Sequence, residues 1–175
     1  SASSPVIELD FQPEITTQVA SRYVAEGDAF VDGLTVAVTK GTWIHLDGAP
    51  IEVTATGTLY GPFDEQPTEA DTPPAGTSVA GTETMTLTGP GSYTSPGTII
   101  APEPGFYTWV WAIDKAAHAE QATYLTDSFT VRFGQVAETS ALPFQPVAVA
   151  DGDELLATPR DALPSPIPGS STNGP

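Results

Sequence analysis

The stretch Gly105–Ile113 constrains the fold more than any other part of the chain, because it is apolar on both of its faces. It contains two of the three tryptophans, and most of its residues are aromatic or β-branched, which is the composition of a β-strand. A strand with two apolar faces usually lies in the middle of its sheet. We therefore predict that this strand is the centre of a β-sheet core.

Shorter stretches on either side alternate apolar and polar residues, the period-2 pattern of half-buried strands. Ile51–Tyr60 and Thr82–Leu87 show this pattern, and Asp47-Gly48 is a dipeptide favoured in tight hairpins. One helical segment is predicted, the Ala-rich Ala116–Leu125, with Asp114 as its cap. About nine or ten short strands with turns between them predict an all-β fold, an immunoglobulin-like β-sandwich with Greek-key connections.

Length and composition divide the chain into one domain with flanking segments. We predict a leader or preceding strand at residues 1–10, a β-sandwich repeat domain at 11–143, the start of a next repeat or a terminal strand at 144–156, and a Pro-rich linker or tail at 157–175. The repeat is inferred because Phe11-Gln12-Pro13 recurs as Phe144-Gln145-Pro146 about one domain length later. Such a period is typical of tandem arrays.

The formal net charge of −17 excludes several classes of partner. A chain with only 5 Lys and Arg residues cannot build the basic patch that nucleic acid requires. No apolar run approaches the roughly 20 residues of a bilayer-spanning helix. The absence of Cys excludes disulfides and thiolate metal sites. We therefore expect no nucleic-acid partner and no membrane span.

Few groups in the sequence point to catalysis. There is no Gly-x-Ser-x-Gly elbow and no Gly-rich phosphate loop, and the two histidines, His45 and His118, are far apart. We therefore expect no enzyme and no cofactor, with calcium as the one ion left open. Its oxygen ligands would be the acids of the long connection 61–80, namely Asp64, Glu65, Glu69 and Asp71. The alternative interpretation is that these acids form a solvated acidic loop.

Several short motifs carry a family resemblance. Phe30–Val36 followed by Ile51–Tyr60 resembles the ester-bond stalk domains of Gram-positive surface adhesins, in which an Asp precedes a central strand and Gly-Thr-Leu ends the next. In that family a Thr hydroxyl of the first strand attacks a Gln amide of the last strand, which gives an intramolecular ester. The resemblance implies Thr17 as the nucleophile, Asp32 as its acidic helper and Glu138 as the acyl partner.

Three positions depart from the family pattern. Glu138 stands where the family has Gln, so ammonia cannot leave; Thr130 falls near the family's activating His, and Trp111 takes the place of its Glu. The resemblance also implies a CnaB-like sandwich, with the strand Ile15–Val19 beside the strand Val136–Ala141. Thr17 would then face Glu138, and the two acids would share protons.

The tandem period and the aromatic strand also look like repeats of actinobacterial wall-anchored proteins. We accordingly expect a stalk or spacer repeat of a secreted, cell-wall-attached bacterial adhesin, with neighbouring repeats as partners and an unidentified host or surface ligand. A module that binds carbohydrate or protein is the first alternative, with the loop Gly61–Ala80 and Trp43 as its platform. A filament subunit whose ends pair with neighbouring sheets is the second. A buried Trp43 would favour the spacer, and an exposed one the binding module.

Overall fold

The computed structural model describes residues 10–100, 103–118 and 124–143, together with the backbone of 146–148 and 154–156. No α-helix occurs among these residues, and the prediction of an all-β fold is confirmed. The strands are β1 (Gln12–Val19), β2 (Ala29–Phe30), β3 (Asp32–Lys40), β4 (His45–Leu46), β5 (Ala49–Pro50), β6 (Val53–Phe63), β7 (Val79–Leu87), β8 (Gly91–Thr94), β9 (Ile99–Ile100), β10 (Gly105–Ile113), β11 (Phe129–Thr130), β12 (Thr139–Leu142), β13 (Pro146–Ala148) and β14 (Glu154–Leu156).

The aromatic strand β10 is central in a five-stranded antiparallel sheet, as its two apolar faces predict. β6 and then β7 lie on one side of it, and β11 and β12 pair with it on the other. Trp111 lies opposite Gly57 of β6 in the register. A Cβ atom at position 57 would fall 2.5 Å from the Trp111 ring, so only glycine leaves room for the indole there.

A second sheet contains three antiparallel strands in the order β1-β3-β8. Its inward side chains and those of the five-stranded sheet form one hydrophobic core. The three-stranded sheet contributes Ile15 and Leu34, and the five-stranded sheet contributes Leu59, Trp109 and Trp111. Burial of large aromatic side chains at this seam is the main source of stability for a chain that has no disulfide.

The two ends of the domain are held by parallel contacts. Phe11 donates its N–H to the carbonyl of Tyr124 at 2.8 Å, and its own carbonyl accepts the N–H of Thr126 at 3.0 Å. Further along, the N–H of Ala141 donates to the Arg22 carbonyl at 2.8 Å, and the N–H of Val24 donates to the Ala141 carbonyl at 2.9 Å. The first and last parts of the domain therefore run side by side in the same direction.

This arrangement corrects the predicted pairing of Ile15–Val19 with Val136–Ala141. β1 pairs with β3, and it is the segment after β1 that contacts the last strand. The residues Val136–Glu138 form a 3₁₀ turn, which has no strand edge to offer, and this turn packs against β1 and β10. The last strand of the domain, β12, begins only at Thr139.

Two local predictions, the Asp47-Gly48 turn and the Asp114 cap, are confirmed, and the helical segment that follows the cap is shorter than predicted. Asp47 and Gly48 have φ angles of 54° and 84°, the left-handed backbone of a tight turn, between β4 and β5. The Asp114 side chain caps a 3₁₀ turn by accepting the Ala116 N–H at 2.9 Å. That turn covers only Lys115–Ala117, and residues 119–123 of the predicted helix lie outside the described residues.

The predicted flanking segments lie largely outside the described residues. Residues 1–9, 144–145 and 157–175 are not among them, so the predicted leader, the second Phe-Gln of the repeat and the Pro-rich tail carry no structural description. Of the residues between these segments, β13 and β14 pair with each other in antiparallel orientation. None of the described residues belongs to a helix capable of crossing a bilayer.

Candidate functional site

The fold brings together the three residues that the resemblance implied. Thr17 lies on β1, Asp32 is the first residue of β3, and Glu138 ends the 3₁₀ turn that packs against β1. Asp32 and Glu138 have no solvent-accessible surface. Two carboxyl groups and a hydroxyl thus meet in the interior, at the junction of the first and last parts of the domain.

Asp32 is held by several hydrogen bonds. The Trp111 indole N–H donates to Oδ2 at 2.8 Å, and the Gly33 backbone N–H donates to Oδ1 at 3.1 Å. The Asp32 backbone is bound to Ser95 twice, through N–H to Oγ at 2.8 Å and through its carbonyl to the Ser95 N–H at 2.9 Å. The Asp32 carboxyl is therefore held by donors from both sheets, and the Asp32 backbone is held by the loop after β8.

Glu138 is, by contrast, poorly satisfied. Both of its carboxyl oxygens and the Thr17 Oγ1 are buried without a partner that meets hydrogen-bond distance and angle. Thr17 and Asp32 nevertheless lie close enough to act on it: burial is the main cause that raises the pKa of Glu138, Asp32 adds to the rise, and the Thr17 hydroxyl lowers it. A buried carboxyl without donors is costly when ionised, so its neutral form is favoured here.

The ionisation of the two acids is linked. The pKa of Glu138 is raised from 4.5 to about 10, chiefly by burial and in addition by the neighbouring Asp32. The pKa of Asp32 is likewise raised from 3.8 to about 6 by burial, which outweighs the opposing effects of the neighbouring Glu138 carboxyl and the Trp111 indole N–H. These values belong to the pair as a whole, because the two groups titrate together. Because two adjacent buried carboxylates repel each other, the pair favours keeping a proton over carrying two charges.

A third buried acid, Glu83 of β7, was not predicted. It is 5% exposed; its Oε2 accepts the Thr98 backbone N–H at 2.6 Å and the Thr98 hydroxyl at 2.8 Å, and its Oε1 is buried without a partner. Its negative charge adds to the raised pKa of Asp32. The alternation of Thr82–Leu87 could have revealed this burial, because alternate residues of a strand face the same side and Glu83 therefore points inward with Met85 and Leu87.

Trp43, the predicted platform for a ligand, is 4% exposed. Its indole N–H donates to the Ile51 carbonyl at 2.9 Å, and its ring packs against Phe11 with centroids 4.8 Å apart. A side chain buried in this way cannot present its ring to a ligand. The structure therefore removes Trp43 as a binding residue.

The acids proposed for calcium do not converge. Glu69 and Asp71 both pair with Arg132, Glu69 at 3.4 Å from its Nε, and Asp64 and Glu65 are exposed. Across the described part of the chain, no three carboxyl or imidazole groups are placed to share a metal ion. The loop is an acidic surface loop tied down by Arg132, which was the alternative interpretation.

The remaining features that bear on catalysis or binding are modest. His118 uses both ring nitrogens within the fold, Nε2 with the Thr54 N–H at 2.8 Å and Nδ1 with the Asp114 carbonyl at 2.7 Å. A shallow cavity of about 420 Å³ lies over the three-stranded sheet, and its neutral polar lining includes Thr16, Gln18, Thr35, Ser92 and Thr94.

No family model matches the chain, and no curated protein is significantly similar to it. Function is therefore inferred from the contacts of this chain alone.

Proposed function

We propose that the chain is a stalk or spacer repeat of a secreted, wall-attached bacterial surface adhesin, built as an immunoglobulin-like, CnaB-like β-sandwich with Greek-key connections. The observation that carries the proposal is the parallel contact between the first and last parts of the domain, at Phe11 with Leu125 and at Tyr23 with Ala141. A stalk transmits tension from one end of each unit to the other. The contacts between those ends therefore decide how much force the unit withstands.

Parallel neighbours are suited to this load. When the chain is pulled from both ends, the segment that starts at Phe11 and the segment that ends at Ala141 are drawn in opposite directions along their own axes. The hydrogen bonds between Arg22, Val24 and Ala141 then lie across the force and share it, whereas an antiparallel pair pulled from one end would open bond by bond. The buried carboxyl cluster lies at the same junction.

Two further observations support a spacer over the binding module. The predicted aromatic platform, Trp43, is part of the core. The net charge of −17 keeps neighbouring units of an array soluble and apart. A filament subunit would need an extended end laid on another copy, and nothing in the described residues favours that over an array.

Single-molecule pulling tests the proposal. The chain has no native Cys, so cysteines at Asp10 and Pro143 would give unique handles at the two ends of the domain. We expect a higher unfolding force than with handles at Ala49 and Thr88, two exposed residues from which the load bypasses the end contacts. Equal forces in the two directions would contradict a load-bearing role.

The state of Thr17 and Glu138 is tested separately by intact mass. We propose that Glu138 remains a free acid, because it carries no amide to release ammonia and because both ring nitrogens of the buried His118 are bonded elsewhere in the fold. The mass is then that of the sequence. An ester would join the Thr17 oxygen to the Glu138 carbonyl carbon with loss of one water, and the mass would be about 18 Da lower.

A further inference from the structure

The pair Asp32 and Glu138 joins parts of the chain that are distant in sequence, and it tolerates only some charge states. Asp32 begins β3, whereas Glu138 lies directly before the last strand, and both are completely buried. Two carboxylates in such a place repel each other, whereas a carboxylic acid and a carboxylate can share a proton. The contact between the first strands and the last segment therefore depends on that proton.

In the part of the chain that the structure describes, the groups that act on the pair include no positive charge that could replace the proton. β1 contributes the Thr17 hydroxyl, β10 the Trp111 indole N–H, and β7 a further acid, Glu83. Among the described residues, the cations found in ion pairs are Lys40 and Arg132, and both pair with other acids. A second negative charge on the pair would therefore remain uncompensated, which is costly in a buried site.

We propose that Asp32 and Glu138 form a proton-dependent latch. While the pair keeps one proton, it holds the segment 136–142 against the first strands, and loss of that proton at alkaline pH releases the segment. The bonds that Ala141 makes with Arg22 and Val24 are then lost, although β6, β7 and β10 keep their own pairing. The latch is a property of the folded unit and holds whether or not the unit serves as a stalk.

The direction of the pH effect follows from the raised pKa of each carboxyl. A group whose pKa is higher in the folded than in the unfolded chain contributes stability that is complete below the unfolded value and is lost as the pH rises to the folded value. For Asp32 this loss runs from pH 3.8 to about 6, and for Glu138 from pH 4.5 to about 10. The contact of the segment therefore weakens progressively as the pH rises through neutral toward the raised pKa of Glu138.

Trypsin cleavage after Arg22 reports the state of the latch. Arg22 is exposed, but its carbonyl accepts the N–H of Ala141, and this bond must break before a protease can bind the backbone. The cleavage rate is measured between pH 7 and 9.5 and divided at each pH by the rate on a short Arg peptide, which removes the pH dependence of the enzyme. Thr17→Val is used as the parent chain, because it cannot form an ester.

We expect the normalised rate of the Thr17→Val chain to rise with pH, by up to about tenfold per unit, the limit for one proton. In Thr17→Val/Glu138→Gln the rise is absent, because the amide has no proton to lose. Thr17→Val/Glu52→Gln, which neutralises an exposed acid instead, is expected to behave like its parent. Should the Gln variant not fold, Asp32→Asn in the same parent is expected to weaken the rise by removing the like charge beside Glu138.

Three results would overturn the latch. The first is a rate in the Thr17→Val chain that does not change with pH. The second is a rise of equal size with and without Glu138→Gln, or with and without Asp32→Asn. The third is a native mass about 18 Da below that of the sequence, because an esterified Glu138 has no proton to release. The pulling experiment decides the stalk role independently of all three.

Discussion

The indole N–H of Trp111 donates to Oδ2 of Asp32 at 2.8 Å, and this bond joins the five-stranded sheet to the three-stranded sheet. Neither residue is accessible to solvent. The indole reaches Asp32 because Gly57, its neighbour on β6, has no side chain to displace it. The packing of β6 against the Trp111 ring therefore affects the hydrogen bond that the ring makes to the Asp32 carboxyl of β3.

Replacement of Trp111 by Phe isolates the contribution of this bond. The variant keeps an aromatic ring in the core but leaves Asp32 without its indole donor, and hydrogen bonds to charged groups contribute about 1.5–3 kcal/mol. Trp109→Phe is the matched control, because the Trp109 N–H is buried without a partner, so no bond is lost. Urea denaturation should show the larger loss for Trp111→Phe; equal losses would mean that the bond contributes nothing.

Complete removal of the Trp111 ring should be far more damaging than a change in the acidic loop. Trp111→Ala leaves a large cavity in the core, and such substitutions cost about 3–5 kcal/mol. Glu69→Ala removes an exposed side chain, for which changes within about 0.5 kcal/mol are usual. The denaturation midpoints of the two variants give the comparison, and similar midpoints would place Trp111 outside the cooperative core.

Gly57→Ala tests the space that the indole needs. The added Cβ would fall 2.5 Å from the Trp111 ring, and overpacking of this kind costs about 1–3 kcal/mol. Gly89→Ala is the control, because a Cβ there meets nothing within 4 Å. In the Trp111→Ala chain the cost of Gly57→Ala should largely disappear, since the clashing ring is gone. If the loss of stability persists in that chain, its cause is the backbone conformation at position 57 and not a clash with the ring.

His118→Ala should destabilise the chain by leaving the Thr54 N–H without its acceptor. A fully buried polar group left unpaired costs about 1–3 kcal/mol, and this half-buried bond of 2.8 Å lies at the start of β6. The control is His45→Ala, because His45 is exposed in the β4–β5 hairpin. Thermal melting of the two variants should separate them by several degrees; coincident curves would show that the Thr54 N–H finds water instead.

The sequence predicted the elements whose signal is local. Both apolar faces of Gly105–Ile113 indicated a central strand, and Asp47-Gly48 indicated its hairpin, because each pattern is complete within a few residues. The gathering of Thr17, Asp32 and Glu138 was predicted only through the family resemblance. No spacing along the chain brings a residue of the first strand to one near the end of the domain.

The features that sequence reasoning missed depend on three-dimensional placement. Trp43 reads equally well as a surface platform or a core residue, and only the contact with Phe11 decides between them. The sequence prediction placed Val136–Glu138 in a strand, but only Val favours strands among these three residues, and they form a 3₁₀ turn that packs against β1. Glu83 was overlooked although its parity pointed inward, because an acid is ordinarily assigned to the solvent.

The stacked indoles give this protein an optical probe of its own. Trp109 and Trp111 lie with ring centroids 5.4 Å apart, and only Trp111 touches a carboxyl that titrates. A change in the charge of Asp32 is therefore a change in the electric field on one of two neighbouring chromophores. The wavelength of maximal tryptophan fluorescence of the native chain should therefore shift when the Asp32–Glu138 pair gains or loses a proton, without a dye and without unfolding.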